Sequence, residues 1–310
     1  MNARALIAVA ALLLVTAPVA QAQVVNVEFK FTPFVGDTKD DKVKTVPGTA
    51  RVFINNVPIA VEEVRAQVVP VLFDAREIAA SVWVPAASVG SVLRRGKNTI
   101  RIEFTPTDPK LPYRAQLRWA SVGGEVRRTE RPGGGSATNQ QGEGVEEKAG
   151  PGPLRFERAF DAPFGVTRPW HANAPITTLS DAERAQIVAL VQTRVDAFKP
   201  DFSGFYKLLE GNPQLEAAKV KKAACLDKGY AAGVRIAAAA PADIEVQTTG
   251  GPEVVVSARK GELYRPADPK AFERLKGDDM QMCVGMSLMV GFPPRLILVR
   301  SAAGAWEVAR

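Results

Sequence analysis

Residues 24–119 alternate apolar and polar side chains in short runs, and this period of two limits the folds open to the chain. In residues 25–31, valine and phenylalanine alternate with asparagine, glutamate and lysine, as in a strand with one face on a core. Glycine, proline and asparagine separate the runs, and Asn55-Asn56 suits a tight hairpin turn because asparagine tolerates positive φ. The pattern predicts an antiparallel β-sandwich over residues 23–120.

The first 22 residues have the features of a secretory signal peptide. Arg4 supplies a positive charge, residues 5–16 are small and apolar, and Ala20-Gln21-Ala22 places small residues at a cleavage site. We expect cleavage after Ala22 and a periplasmic or secreted mature protein. The apolar run is too short to cross a hydrocarbon core of about 30 Å as a helix. Since no other segment is as apolar over that length, we expect no membrane span.

Composition and charge narrow the class of protein further. The sequence has 46% hydrophobic and 24% charged residues, a normal balance for a globular protein. Its formal net charge of +7 becomes +6 without residues 1–22, because Arg4 is the one charged residue there. Basic residues are scattered among 33 acids and are not gathered into runs with aromatics, so we expect no nucleic-acid partner.

The chain has two cysteines, Cys225 and Cys283. An oxidising compartment favours joining them, and we expect one disulfide. The alternatives are a metal site and a nucleophilic thiol. Zinc needs three or four Cys, His or carboxylate ligands and a thiol nucleophile needs a neighbouring histidine, whereas the chain has one histidine in all. With so few ligands, we expect no metal. No glycine-rich phosphate loop opens a helix either, so we expect no nucleotide or other cofactor.

The composition changes over residues 121–153, where glycine, proline and charged residues alternate without an apolar repeat. This pattern predicts a flexible linker between two domains. Residues 154–160 again alternate as a strand does. We assign these residues to a second domain, 154–310. The alternative is that they pair with the sheet of the first domain.

Residues 154–310 predict an α+β domain with helices first and strands after them. Ser180-Asp181-Ala182-Glu183 is a capping box, and apolar residues at helical spacing follow it up to Pro200. Further helices are expected after Phe202, over 215–224, and behind Asp268 with Pro269 at the first helical position. The later period of two predicts a meander of antiparallel strands over residues 244–247, 253–257, 282–292, 295–300 and 306–309.

Two local patterns are similar to known families. Trp83-Val84-Pro85, followed by Leu93 and by the run Gly96-Lys97-Asn98-Thr99-Ile100-Arg101-Ile102, resembles a stretch of galactose-binding-like jelly rolls that joins a core-lining segment to a long strand. The resemblance implies a β-sandwich and a core position for Trp83, and it carries over no binding residue. The last apolar strand, the Gly304 turn and Trp306-Glu307-Val308 resemble the final hairpin of NTF2-like or cystatin-like sheets.

His171 and a group of methionines are the first candidates for chemistry. His171 is the one imidazole of the chain and no nucleophile motif accompanies it, so we expect a packed loop residue and no base. Met-x-Met spacing can bind Cu(I), because thioethers are soft ligands. However, Met280, Met282, Met286 and other even-numbered residues up to 290 are all apolar, which predicts one buried strand face and core packing for the methionines.

Carboxylates and aromatic residues are the remaining candidates. The acids that are adjacent in sequence, Asp40-Asp41, Glu62-Glu63 and Asp278-Asp279, point to opposite faces if they lie on strands, so we expect solvated turns and assign no catalytic residue. Tyr113 and Trp119 lie in the predicted sandwich. They either pack in the core or stack on sugar rings through their apolar faces.

These patterns predict an exported binding or interaction protein of the bacterial cell envelope without catalytic activity. Its expected partner is an envelope glycan or protein. The alternative is a carbohydrate-active hydrolase that uses an unidentified pair of carboxylates, since glycoside hydrolysis needs two acids and no histidine.

Overall fold

The structure is a computed structural model that describes residues 23–72, 76–128, 136–210, 212 and 215–309. The described residues are rich in antiparallel strands and also form a few helices. The predicted signal peptide, residues 1–22, lies outside the described part. No helix in the described ranges combines the length and the apolar character that a membrane span requires.

The first half of the described chain consists mainly of strands, as its period of two predicts, with two short 3-10 turns over Ala86–Ser88 and Gly90–Val92. In chain order the strands are β1 (Val24–Val35), β2 (Lys42–Thr45), β3 (Gly48–Ile54), β4 (Val57–Val64), β5 (Val68–Leu72), β6 (Glu77–Ile78), β7 (Val82–Pro85), β8 (Gly96–Pro106), β9 (Tyr113–Arg128), β10 (Ser136–Gly150) and β11 (Leu154–Ala162).

Two antiparallel sheets enclose the core of this half. The larger sheet has the order β10-β9-β1-β2-β5-β6, with β7 paired to β1, and the smaller one has the order β11-β8-β3-β4. Phe31 on the larger sheet meets Phe104 and Phe156 on the smaller one, at ring-centroid distances of 5.8 and 5.6 Å. All three rings are fully buried. The alternating residues of β1 therefore point where the sequence pattern places them.

Most of the described residues of the segment expected to be a linker, 121–153, form part of the larger sheet. Residues 121–128 extend β9, and β10 pairs with β9 along its length to form a long hairpin. The structure thus differs from the expectation of an irregular linker over 121–153. Backbone pairing does not require an apolar repeat, so the composition of this segment did not reveal the strands. The next strand, β11, pairs with β8, so residues 154–160 return to the sheet of the first half.

The second half combines short helices with small sheets. Its helices are α1 (Asp181–Arg194), α2 (Ser203–Leu209), α3 (Ala217–Lys222), α4 (Cys225–Ala231) and α5 (Asp278–Gly291), and its strands are β12 (Ile236–Ala238), β13 (Ile244–Thr248), β14 (Val254–Ala258), β15 (Tyr264–Pro266), β16 (Arg295–Arg300) and β17 (Trp306–Val308). The expected capping box is present at α1, where Ser180 N–H donates to Glu183 at 2.7 Å and the Ser180 side chain accepts from the Glu183 N–H. The expected C-terminal hairpin is β16–β17.

The strand expected over residues 282–292 is wrong, because this segment is the helix α5. Val284, Ser287, Leu288 and Gly291 are its buried residues, a spacing of three and four rather than two. Gly277 precedes the helix at φ 85°, and Asp278 and Asp279 occupy its first turn, where carboxylates interact favourably with the helix dipole. This helix has apolar residues on several sides. Its even-numbered positions from 280 to 290 are therefore all apolar, and the sequence resembles a buried strand.

The expected disulfide between Cys225 and Cys283 is present and joins α4 to α5, with the two Cα atoms 6.0 Å apart. Cys225 is fully buried, and Cys283 packs against the same helical core. Of the described cysteines, none is free.

The sheet β13-β14-β16-β17 connects the two halves. Val254 and Val256 on β14 point into the helical core, whereas Val255 between them belongs to the core of the first half. Arg295 on β16 donates to the Pro58 carbonyl at 2.6 Å, and Arg94 donates to both carboxylate oxygens of Glu253 at 2.9 and 3.0 Å. Side-chain packing as well as the chain itself therefore joins the halves.

Candidate functional site

Trp83 is the most exposed aromatic residue among the large hydrophobic residues that the structure shows on its surface, with 59% of its area accessible. It lies on β7 between Val82 and Val84, both of which are buried in the core. Because successive side chains of a strand point to opposite faces, the Trp83 indole is on the outer face of the larger sheet. The core position that the jelly-roll resemblance implies for Trp83 is therefore wrong.

A row of side chains crosses four strands beside Trp83. Trp83 is directly opposite Lys30, Lys30 is opposite Arg118, and Arg118 is opposite Val145. Directly paired residues share a face, so the four residues form one row about 14 Å long at 4.7–4.9 Å per strand. Val145 is 53% exposed, so both ends of the row present apolar area to solvent. We call this row the outer-face row.

Polar groups surround the outer-face row on the same face. Lys30 forms an ion pair with Glu77 at 2.7 Å. Glu28 flanks the row on one side, and the paired residues Gln116 and Glu147 flank it on the other. The face therefore combines one exposed indole with cations and carboxylates, whereas the Gln116 amide is 7% exposed and belongs to the buried residues. Such an arrangement can contact an apolar surface and hydrogen-bond to the polar groups around it.

Tyr113 and Trp119, the two aromatic residues expected as candidates for stacking, are much less exposed than Trp83. Tyr113 is 4% exposed and its hydroxyl donates to the Gly152 carbonyl at 2.7 Å. Burial raises the pKa of Tyr113 to about 12. Trp119 is half-buried, with the Arg158 guanidinium 3.4 Å from a ring centroid, and a Cβ on Gly144 would clash with its indole. Tyr113 is thus a core residue, and protein atoms cover much of Trp119.

His171 lies in a short turn between the two halves. Its Nδ1 accepts the Arg168 N–H at 3.2 Å, and its Nε2 is 3.3 Å from the Ser91 carbonyl. This pair of contacts suits the neutral imidazole with the proton on Nε2. Burial lowers the pKa of His171, with the positive charge of Arg94 acting in the same direction. Both ring nitrogens are engaged in structural contacts, which agrees with the expected packed loop residue.

The acid pairs singled out in the sequence are on the surface. Asp40-Asp41, Glu62-Glu63 and Asp278-Asp279 are all exposed. Among the other carboxyl groups whose side chains the structure describes, three have a lowered pKa because a hydrogen bond holds the ionised form: Glu157, Asp201 and Asp268. A general acid needs a shift in the opposite direction. Within the described residues, no three His, Cys, Asp or Glu side chains cluster as a metal site.

A second surface feature is an apolar groove of about 490 Å³ along α5. Met282, Met286 and Met289 line one wall, and the other lining residues include Tyr264, Phe272, Phe292 and the charged pair Glu262 and Arg265. Met282 is 59% exposed and Met289 is 67% exposed. The core packing expected for the methionines is therefore wrong for these two residues. We call this feature the methionine groove.

Two glycines of α5 have opposite surroundings, which predicts opposite effects of the same substitution. A Cβ on Gly285 would point into open space in the methionine groove, whereas a Cβ on Gly291 would lie 2.5 Å from the buried Phe205 ring. We expect Gly285→Ala to raise the free energy of unfolding by about 0.5–1 kcal/mol through helix propensity. We expect Gly291→Ala to lower it by about 1–3 kcal/mol through overpacking.

Urea denaturation of the two variants beside the parent protein measures both effects. Each variant adds one methyl group to the same helix, so each is the control for the other. Equal changes in stability would contradict the packing described here.

No family model, curated protein or solved structure matches the chain. The likeness of residues 83–102 to jelly rolls and of the last hairpin to NTF2-like or cystatin-like sheets therefore stays a local resemblance.

Proposed function

We propose that the protein is a binding protein of the bacterial cell envelope without catalytic activity, and that the outer-face row contacts a polymeric glycan. The observation that carries this proposal is the exposed indole of Trp83 on a regular strand. An aromatic side chain of this size is normally buried, and an exposed one on a rigid scaffold is typical of recognition surfaces.

The chemistry of the outer-face row fits a sugar chain better than an apolar ligand. The C–H face of a pyranose ring can stack on the Trp83 indole, while its hydroxyl groups bond to charged side chains such as Lys30. An open sheet face also leaves both ends of a polymer free. A small cofactor would instead need an enclosing cavity.

We further propose that the protein is exported and that its two domains have different roles. Residues 1–22 act as a cleaved signal peptide, and the mature protein is periplasmic or secreted. The disulfide is compatible with an oxidising compartment. We also propose two structural domains. The N-terminal domain contains the glycan-binding face and includes β11, which the sequence pattern placed in the C-terminal α+β domain.

Co-sedimentation with insoluble cell-wall glycan tests the binding surface. We expect Trp83→Ala to weaken retention roughly 2- to 12-fold, equivalent to the 0.5–1.5 kcal/mol of an aromatic stacking contact. Trp83→Phe keeps an aromatic ring and should retain part of the affinity. Val61→Ala is the matched control, because Val61 is 57% exposed and lies on β4 of the opposite sheet.

Equal retention of the Trp83→Ala and Val61→Ala variants would contradict this surface assignment. The alternative function, a carbohydrate-active hydrolase, makes a different prediction. It requires turnover of a glycan panel that is abolished by replacing one specific Asp or Glu, and that result would overturn the proposal of a binding protein.

A further inference from the structure

The methionines of this chain are concentrated in one place. Apart from Met1, all four lie within residues 280–289. Three of them, Met282, Met286 and Met289, line the methionine groove, and the fourth, Met280, packs against the helical core of the second half. Leucine occurs throughout the chain. The groove is thus selectively enriched in thioether sulfur and not only in apolar area.

Exposure of these thioethers argues against a role in packing alone. Met282 and Met289 are 59% and 67% exposed, so most of their surface contributes little to core stability. A thioether differs from an aliphatic side chain in being a soft electron-pair donor. Its metal preference is correspondingly for soft ions such as Cu(I).

The helix brings the three donors to one face. Positions 282, 286 and 289 are separated by four and three residues, and neighbours at these spacings have Cβ atoms about 5–6 Å apart. Each methionine has three rotatable side-chain bonds, so the sulfurs can converge on one ion between them. Gly285 lies on the same face, and the open space at its missing Cβ leaves room there.

We propose that Met282, Met286 and Met289 bind one Cu(I) ion in the methionine groove. Three neutral sulfurs suit a soft monovalent ion. The groove contains one carboxylate and one guanidinium, Glu262 and Arg265, whose charges offset each other, so it offers no net charge to attract a harder divalent ion. Both cysteines are in the disulfide, which leaves no thiolate to compete for the ion. This site is separate from the outer-face row and does not depend on the proposed function.

Competition between the protein and a chromogenic Cu(I) chelator, in anaerobic ascorbate buffer, tests the site. We expect one Cu(I) per chain and an absorption spectrum at the copper edge that shows sulfur neighbours. Met286→Leu should weaken binding by at least about tenfold, since even outer partners of a bound metal commonly contribute 10–100-fold. The variant Met282→Leu/Met286→Leu/Met289→Leu should lose the ion.

Leucine is close to methionine in volume, so these variants should fold, and circular dichroism with thermal unfolding checks this. Met280→Leu is the matched control and should bind as the parent protein does. Cu(I) binding that survives in the triple variant would overturn the proposal. A parent protein that binds no Cu(I) would also overturn it. Entry of an apolar fluorescent probe into the groove would not rescue the proposal, because such a probe reports apolar area and not a metal site.

Discussion

Replacing Glu253 with alanine should lower the free energy of unfolding by about 3 kcal/mol. The Glu253 carboxylate is 1% exposed, and both its oxygens accept from Arg94 Nη2. Removing one partner of a buried pair leaves the other charge uncompensated, which costs about 3–5 kcal/mol. We place the effect at the lower end because 28% of the Arg94 side chain is exposed and can turn toward water. Denaturation in urea measures the change.

Two further variants separate charge from shape at this position. Glu253→Gln keeps the volume and one acceptor, so we expect a smaller loss than for alanine. Glu216→Ala removes a carboxylate from the exposed ion pair with Lys219 and should change stability by less than about 0.5 kcal/mol. If Glu253→Ala had as small an effect as Glu216→Ala, the pair would not help to hold the two halves together.

Removing the disulfide should have a comparably large effect. Cys225 and Cys283 are 58 residues apart, and closing a loop of that length stabilises the folded state by about 4 kcal/mol in the chain-entropy treatment. We expect Cys225→Ala/Cys283→Ala to lose up to this amount, mainly because its unfolded chain gains freedom. Alanine is preferred to serine because Cys225 is fully buried and a hydroxyl there would need a partner.

Urea denaturation of the double variant, and of the parent protein with and without a thiol reductant, checks this expectation. The reductant should destabilise the parent protein and leave the double variant unchanged. A double variant that is as stable as the oxidised parent would contradict the role given to the disulfide. Loss of helix signal before sheet signal would locate the weakened region in the helical second half, which contains α4 and α5.

Local signals were sufficient for much of the secondary structure. The period of two over residues 25–31 predicts β1 and its buried face, because alternation in a half-buried strand follows directly from the pleat. The capping box at Ser180 predicts the start of α1, because its hydrogen bonds join residues three apart. The disulfide followed from the presence of only two cysteines.

Other features depend on partners distant in sequence. The helix α5 presents apolar residues to the core, to α4 and to the methionine groove, so its sequence lacks a clean helical stripe and resembles a buried strand. Residues 121–128 of β9 and their partners on β10 lack an apolar repeat, and their backbone pairing depends on a neighbouring strand that a local pattern does not reveal.

The two candidate sites also combine features that are visible in the local sequence with features that depend on distant contacts. The alternation of Val82, Trp83 and Val84 is visible in the sequence, but which side of β7 faces the core depends on its pairing with β1 and on the sheet packed behind it. The methionines are likewise visible as a group. Their exposure depends on the helix and on the residues that form the opposite wall of the groove. The sequence by itself determined which residue types are present and how they repeat locally. Only the tertiary structure decided which of their faces remain open to a ligand, because burial depends on contacts between segments far apart in the chain.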